Sequence, residues 1–287
     1  AGMGCVTRSP RGYGRLAFQM VLAEAVGASR TEVAGRVASV MSGGTEGVLS
    51  PHATIFARRA GPTATGDTRR LTAGIAHTRD FLPEELGRGA QARAVADGVR
   101  VAMREAGITA AADVHFVQVK CPLLTSERMA QARRRGSDVI TTDTYESMGY
   151  SRGASALGVG LALGEVPEAK LDDAVICADW NLYSGVASTS AGVELMNCEI
   201  LVLGNSVGAA GDLVIGHAVM QDAIDGEAVR HALRAAGLRV DGVLDPAEAA
   251  RLVNVFAKAE ADPSGYARRR RPTMLNDSDI NNTRHAP

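Results

Sequence analysis

Three short patterns recur along this chain of 287 residues, and their order constrains the fold more strongly than any single segment does. One is an apolar strand that ends in lysine, another is an arginine that opens a helix, and the third is Ser-x-Gly-x-Glu following a strand. The strand that ends in lysine stands at residues 117–120 and 255–258. The arginines are Arg11, Arg152 and Arg284, and the Ser-x-Gly-x-Glu pattern stands at residues 42–46 and 190–194. Repetition of one order along a chain predicts similar structural units joined in a single polypeptide.

The middle copy is complete, with Lys120, Arg152 and Ser190 in that order. The first copy lacks the lysine and the last copy lacks the serine. Both ends of the chain read as interior segments, so we predict a fragment of a longer sequence with incomplete outer units. The three predicted units cover residues 1–65, 66–215 and 216–287.

Hydrophobic periodicity places strands and helices in alternation along the chain. Strands are predicted at 36–41, 53–57, 71–76, 114–119, 174–178, 198–203 and 252–257. Helices are predicted at 13–26, 88–106, 126–135, 153–164, 226–236 and 246–250. The predicted fold is therefore α/β, with three similar α/β units. If the three units are arranged around one axis, a site that they share has pseudo-threefold symmetry.

Composition excludes several classes of protein. The formal net charge of -1 lacks the basic excess of a nucleic-acid surface, so nucleic acid is not an expected partner. The basic run Arg268–Arg271 is typical of a solvated loop. No apolar run reaches the roughly 20 residues of a membrane span, and no signal peptide is visible. The four cysteines form no metal-binding pair and are expected to be reduced thiols of a cytoplasmic protein.

The recurring residue types suit attack on a carbonyl group. A serine becomes a good nucleophile when a base takes its proton, and a buried lysine can be that base because burial disfavours the ammonium form. Lys120 and Lys258 each end an apolar strand, where such burial is expected. Small residues beside Ser42 and Ser190 let backbone N–H groups approach a developing oxyanion. Arginines from three units offer planar donors to a small, carbonyl-rich ring.

Other residues could take part in chemistry, and each has a simpler interpretation. Cys121 follows the candidate base as an alternative nucleophile, although a buried structural thiol is more common. Ser188 competes with Ser190, and the alignment of the two Ser-x-Gly-x-Glu copies favours Ser190. The glycine-rich segment 42–47 resembles a phosphate-binding turn but lacks the Lys-Ser/Thr of a P-loop. His52 has no clear carboxylate partner and is more typical of a surface loop.

Longer stretches of the chain carry a resemblance to a known family. They are MSGGTEGVLSPH at 41–52, HTRDFLPEELGR at 77–88, VQVKCPLLT at 117–125, GYSRGASALGVGLALGE at 149–165, FAKAEADPSG at 256–265 and MLNDSDIN at 274–281. Together they resemble the ring-opening amidohydrolases, the family of cyanuric acid hydrolase and barbiturase, essentially from end to end.

The resemblance implies three α/β units around a central β-barrel-like core, and hydrolytic opening of a cyclic amide. Cyanuric acid would give carboxybiuret and then biuret and CO2, whereas barbituric acid would give ureidomalonate. In that family Lys/Ser pairs surround the ring and the middle pair supplies the nucleophile, which implies Ser190 as nucleophile and Lys120 as base. The residues implied in substrate binding are Arg11, Ser42, Gly43, Arg152, Ala191, Lys258 and Arg284.

The resemblance also implies a homotetramer whose chemistry requires no cofactor, and it leaves room for a structural divalent metal. The run of acidic and amide residues at 276–279 could bind such a metal, although a turn is the ordinary interpretation. The sequence does not separate cyanuric acid from barbituric acid. A non-catalytic three-unit binding module is the alternative to an enzyme. The two are distinguished by whether Lys120 and Ser190 lie within hydrogen-bond reach in a shared pocket.

Overall fold

The computed structural model describes residues 8–40, 53–61, 66–222, 224–257, 266, 268–270 and 285. The helices in these residues are α1 (Arg8–Val26), α2 (Arg30–Arg36), α3 (Gly89–Ala106), α4 (Ser126–Arg134), α5 (Thr144–Leu163), α6 (Gly226–Ala235) and α7 (Pro246–Ala249). The strands are β1 (Arg70–His77), β2 (Val114–Pro122), β3 (Ala187–Gly192) and β4 (Glu199–Ser206). Short 3₁₀ helices occupy Pro83–Glu85, Ala111–Asp113, Glu168–Lys170 and Asp173–Val175.

The four strands form one open sheet in the order β1-β4-β2-β3. β4 runs antiparallel to both β1 and β2, whereas β2 and β3 run parallel to each other. A parallel pair needs a crossover connection, and the chain between β2 and β3 forms α4 and α5. All four strands lie within the predicted unit 66–215. The combination of this sheet with its helices confirms the predicted α/β class.

The two faces of the sheet differ because side chains alternate along each strand. On β2, Val117, Val119 and Cys121 are fully buried in the main core, together with apolar residues of α3 and α5. Gln118 and Lys120 therefore point to the opposite face. The polar side chains of β2 therefore lie on the sheet face that the core helices do not cover.

Helix α5 is buried along most of its length, although its sequence is rich in glycine. It begins where the Asp143 side chain accepts a hydrogen bond from the backbone N–H three residues later, and it ends at Gly164, whose φ of 77° is left-handed. A Cβ on Gly158 would lie 2.4 Å from the carbonyl oxygen of Ala92 in α3, so glycine lets the two helices pack closely. This packing keeps Arg152 inside the structure, with 4% of its surface exposed.

Each predicted helix is observed, although α1 begins earlier than predicted, at Arg8, and α5 begins earlier, at Thr144. Helix α2 was not predicted. Four strand predictions are wrong over the described residues. Residues 53–57 and 252–257 have no regular structure, and the segment 36–41 begins with the end of α2 and continues irregularly to residue 40. Residues 174–178 begin in a 3₁₀ helix. A short apolar run signals burial, but a strand also needs a neighbouring backbone, which local sequence does not specify.

Candidate active site

The parallel register of β2 and β3 places Lys120 directly beside Ser190. Nζ of Lys120 lies 3.2 Å from Oγ of Ser190, although the two residues are 70 positions apart in the chain. Lys120 is fully buried, and Ser190 is 8% exposed. A nucleophile and its base need to lie within roughly 2.6–3.2 Å of each other, or slightly farther before substrate binds. The two residues predicted as a catalytic pair thus meet with a suitable geometry.

Two further acceptors lie at the Lys120 amino group. The carbonyl oxygen of Ala191 is 3.2 Å from Nζ, and Oε1 of Glu194 is 3.4 Å from it. The Glu194 side chain is only 8% exposed, so water screens this ion pair poorly. An ammonium group has three donors. A protonated Lys120 can therefore donate to the serine and the carbonyl while its charge is paired with the carboxylate.

Arg128 of α4 holds the turn that follows β3 and carries Glu194. Its guanidinium donates to the carbonyl oxygens of Val193 and Leu195, each at 3.0 Å, on either side of the glutamate. It also donates to the carbonyl oxygen of Leu123, at 2.5 Å, just after β2. One side chain thus connects the ends of the two strands that meet at the site.

Gly192, the last residue of β3, leaves room for the Glu194 carboxylate. A Cβ on residue 192 would lie 2.2 Å from Oε2 and 2.5 Å from Oε1 of Glu194. Any larger residue would therefore move the carboxylate. The Ser-x-Gly-x-Glu pattern served above only to align the repeats, so Glu194 was missed as a site residue. The same pattern was the signal that could have identified it.

Ser188, the alternative nucleophile, lies on the same face of β3, two residues before Ser190. Its Oγ donates to Oε1 of Gln118 at 2.9 Å, and Nε2 of Gln118 donates to the Ser188 carbonyl oxygen at 2.9 Å. A side-chain amide does not take a proton from a serine at neutral pH. The geometry accordingly supplies a candidate base for Ser190 and, among the described residues, a neutral partner for Ser188.

Burial keeps the cysteines near the site in the thiol form. Burial raises the pKa of Cys121, although hydrogen bonds with Ser151 and Ser155 act in the opposite direction. Burial likewise raises the pKa of Cys198 well above its ordinary value. Because the thiolate is the nucleophilic form, these environments favour a structural role for Cys121 over the role of nucleophile.

Glu199, the cross-strand partner of Lys120 on β4, is a second buried carboxylate that the sequence did not reveal. It forms an ion pair with Arg15 of α1 and accepts a hydrogen bond from the backbone N–H of Ser39 at 2.7 Å. These contacts attach the N-terminal helices to the sheet face that carries Lys120. Glu199 opens an apolar strand, and nothing in that local pattern signals a partner 184 positions away.

The structure places the predicted substrate-binding residues in different settings. Ala191 lies on β3 at the Lys120 amino group. Arg152 is buried on α5, where its charge acts on the Cys121 thiol. Arg11 belongs to α1. Four further residues lie outside the described part of the chain: Ser42, Gly43, Lys258 and Arg284.

His285 is fully buried against α5. Its Nε2 accepts a hydrogen bond from the backbone N–H of Cys177 at 2.8 Å, and its ring lies 5.0 Å from the Trp180 ring. A Cβ on Gly153 would lie 3.1 Å from the imidazole, so the histidine packs beside the helical residue that follows Arg152. Burial lowers the pKa of His285, which favours the neutral ring that this acceptor role requires.

Within the described ranges, no group of three or more His, Cys, Asp or Glu side chains is arranged to hold a metal ion. The segment 276–279 lies outside those ranges, so the structural divalent metal stays a prediction. Among the helices of the described residues, none combines the length and the apolar character that crossing a bilayer requires.

The fold and the site can be set beside known proteins. A profile of the family described as "Amidohydrolase ring-opening protein" matches residues 1–287. The chain belongs to this family. An amidohydrolase that opens a ring is a cyclic amide hydrolase, so the predicted family and the predicted class of enzyme are confirmed.

Several relatives are similar over nearly the whole chain. A cyanuric acid amidohydrolase from Enterobacter cloacae is 60% identical, over 99% of this chain and 78% of its own length. A protein of the same name from Pseudomonas sp. (strain ADP) is 54% identical, over 99% of this chain and 77% of its own length. A cyclic amide hydrolase from Azorhizobium caulinodans is 50% identical, over 99% and 78% respectively.

Two solved structures have a similar fold. One, described as "Cyanuric acid hydrolase: evolutionary innovation by structural concatenation", has a TM-score of 0.85 at 52% identity and covers 99% of this chain and 77% of its own. The other, a cyanuric acid hydrolase from A. caulinodans, has a TM-score of 0.78 at 47% identity and covers 99% and 76%. These similarities confirm the predicted fold class. The unit boundaries at 1–65, 66–215 and 216–287 stay predictions.

Proposed function

We propose that this cyclic amide hydrolase opens the ring of cyanuric acid, with Ser190 as nucleophile and Lys120 as base. The observation that carries the proposal is the 3.2 Å contact between Nζ of Lys120 and Oγ of Ser190 in a buried setting. The choice of substrate is supported by relatives named cyanuric acid amidohydrolase at 54–60% identity.

The first half of the reaction forms an ester between enzyme and ring. A neutral Lys120 accepts the proton of the Ser190 hydroxyl while Oγ bonds to a ring carbonyl carbon. The tetrahedral intermediate then breaks its bond to the adjacent ring nitrogen. Lys120 returns its proton to that nitrogen, so the ring opens without releasing a free anion. Backbone N–H groups beside the serine, such as that of Ala191, are proposed to stabilise the oxyanion.

The second half of the reaction releases the product. Neutral Lys120 takes a proton from a water molecule whose oxygen attacks the ester carbon. The bond to Oγ breaks, and Oγ regains a proton from Lys120. The net change is the addition of one water molecule, which converts cyanuric acid to carboxybiuret. Carboxybiuret then decomposes to biuret and CO2. Both reacting groups are protein side chains, so these steps need no cofactor.

Substrate recognition is proposed to come from residues of all three predicted units. Arginines would donate to the ring oxygens, because their planar N–H groups match carbonyl acceptors. The proposed substrate-binding set is Arg11, Ser42, Gly43, Arg152, Ala191, Lys258 and Arg284.

We extend the proposal to the setting of the enzyme, on the family resemblance. The protein is proposed to be a cytoplasmic homotetramer that acts on a small cyclic substrate and on no nucleic acid. Sedimentation of the purified chain would measure the oligomeric state.

A substrate comparison tests the proposed function. The full chain is incubated separately with cyanuric acid and barbituric acid, and biuret, CO2 and ureidomalonate are measured. We expect kcat/KM for cyanuric acid to exceed that for barbituric acid by at least about 10-fold, because a ring CH2 leaves a hydrogen-bonding group of the site unpaired. Turnover of barbituric acid alone would identify a barbiturase. Binding of either ring without turnover would favour the binding module.

A further inference from the structure

The glutamate of the Ser-x-Gly-x-Glu pattern has no role in the proposed reaction, yet it lies at the candidate base. We infer that Glu194 is a positioning residue for Lys120: its carboxylate holds Nζ against Ser190 and sets the pH at which Lys120 releases its proton. Contact between Glu194 and the substrate is not required. The inference rests on the proposed function, because it has meaning only if Lys120 acts as a base toward Ser190.

The ion pair between Lys120 and Glu194 is shielded from solvent. Oε1 of Glu194 lies 3.4 Å from Nζ of Lys120, and the two side chains are 8% and 0% exposed. Opposite charges attract more strongly in such a site than in water, because little solvent screens them. The second carboxylate oxygen, Oε2, is buried and accepts no hydrogen bond from the residues that the structure describes. The carboxylate is thus directed at the lysine.

The backbone around Glu194 fixes this direction. Arg128 binds the carbonyl oxygens on both sides of the glutamate, so the turn cannot move without breaking two hydrogen bonds. Gly192 lies so close to the Glu194 carboxylate that a Cβ at residue 192 would occupy the same space. A positioning residue has to be held by its own surroundings, and these two residues provide that support.

Other charged and titratable groups lie near Lys120, on both faces of β2. Glu199 lies opposite it on β4, but its carboxylate is already held by α1 and by a backbone N–H. Cys121 is kept as a thiol by burial, and the charge of Arg152 acts on that thiol from α5. Of these groups, Glu194 is the one whose contact with Nζ defines an ion pair.

Two effects oppose each other at the lysine. Burial disfavours the ammonium form, whereas the Glu194 carboxylate favours it. If the carboxylate loses its charge, burial remains and the ammonium releases its proton at a lower pH. The acidic limb of kcat/KM reports the base of the free enzyme. We therefore expect this limb to move toward acid by about 1–3 pH units, the usual effect of an opposite charge within ~4–6 Å.

The test measures kcat and KM for cyanuric acid against pH in the full chain. Glu194→Gln keeps the shape of the side chain and removes its charge. Gly192→Ala keeps the charge and displaces the carboxylate, so it tests the same contact independently should Glu194→Gln fold poorly. We expect both variants to lose roughly 10-fold to 100-fold in kcat through misplacement of Nζ, with a smaller change in KM and with the acidic limb at lower pH.

Controls separate a positioning role from a structural one. Glu248→Gln removes another buried carboxylate, one paired with Arg239 and Arg251, and should leave the limb unmoved. Glu194→Asp keeps the charge and should return the limb close to its original position. An inactive Ser190→Ala with an unmoved limb in Glu194→Gln and Gly192→Ala would overturn the inference and leave the proposed function intact. An active Ser190→Ala would overturn the proposed function itself.

Discussion

β2 and β3 carry two neighbouring side-chain pairs that share one backbone arrangement and differ in chemistry. Gln118 with Ser188 and Lys120 with Ser190 stand at successive positions on the same sheet face, each serine in register with its partner. The first pair is neutral and closes two hydrogen bonds between its own residues. The second contains an amine that also contacts a buried carboxylate. The same backbone arrangement therefore holds one neutral pair and one pair with an ionisable amine.

The difference between the pairs also concerns stability. A neutral hydrogen-bonded pair contributes about 1 kcal/mol per hydrogen bond to the free energy of unfolding. A buried ion pair often contributes nothing compared with apolar residues of similar size, because both charges lose their water. The Lys120–Glu194 pair is thus better explained by chemistry than by stability, and the following variants can sharpen or break this comparison.

The largest expected difference lies between the two serines. Ser190→Ala should lower kcat/KM for cyanuric acid by about 10³-fold or more, because no other described group can form the ester. Ser188→Ala should stay within about threefold and lose about 1 kcal/mol of unfolding free energy with its hydrogen bond. Steady-state kinetics and urea unfolding of both variants measure these effects. Equal losses of activity would break the comparison.

The lysine should show a coupled effect on activity and stability. Lys120→Met should remove most activity and also destabilise the fold by about 3–5 kcal/mol, because it leaves Glu194 buried without its ion-pair partner. Adding Glu194→Gln should recover much of that stability and none of the activity. Combining Lys120→Met with Ser190→Ala should cost little more activity than either change alone, since the two residues act as one unit. Additive losses of activity would mean that they act separately.

The opposite face of β2 should matter for packing and little for chemistry. Cys121→Ala should cost about 1–2 kcal/mol of unfolding free energy, because it leaves a small cavity in a fully buried core. Its kcat/KM should stay within about twofold, as expected of a thiol whose raised pKa keeps it protonated. A loss of activity comparable to that of Ser190→Ala would favour Cys121 as the nucleophile.

The smallest effect is expected near the start of β2, where His115 meets His217. Their Nδ1 atoms lie 2.8 Å apart, and burial lowers the pKa of both rings below the ordinary value of 6.5. Below that pH the unfolded chain binds more protons than the folded one, so stability is full above about 6.5 and falls with acidification. His217→Gln should reduce this fall, by about 1 kcal/mol at most because the residues are partly exposed and solvent screens their charges. Urea unfolding from pH 7.5 to 5.5 measures the slope. An unchanged slope would contradict the prediction.

The pairing of Lys120 with Ser190 could be predicted because the family resemblance implied it, and the repeated patterns placed both residues in one unit. Comparison of the repeats favoured Ser190 over Ser188, and the structure gives the physical reason in their different partners. Most of the helices were predictable because the pattern of apolar residues that indicates a helix is local; α2 was not predicted. Glu194 was predictable in principle, because its spacing from Ser190 recurs in the first copy of the pattern.

The features of the fold and the site that could not be predicted depend on contacts between residues that are distant in the chain. The pairing of Glu199 with Arg15 joins residues 184 positions apart and has no local signature. The apolar runs at 53–57 and 252–257 are not strands, because no neighbouring strand pairs with them in the described residues. The sheet order β1-β4-β2-β3 is likewise a property of the whole unit.

The alternation of side chains along β3 bears on how such an enzyme can evolve. Inserting or deleting one residue ahead of Ser190 within the strand would turn its hydroxyl toward α5 and bring an unsuitable neighbour to Lys120. A single-residue change inside the strand is therefore expected to abolish the contact between Lys120 and Ser190 in one step. The loop between α4 and α5 lies outside the strands, so its length does not decide which face of the sheet Ser190 occupies. A change in the length of that crossover loop leaves the face of each β3 side chain unchanged, so we expect the loop to tolerate insertions better than the strand does.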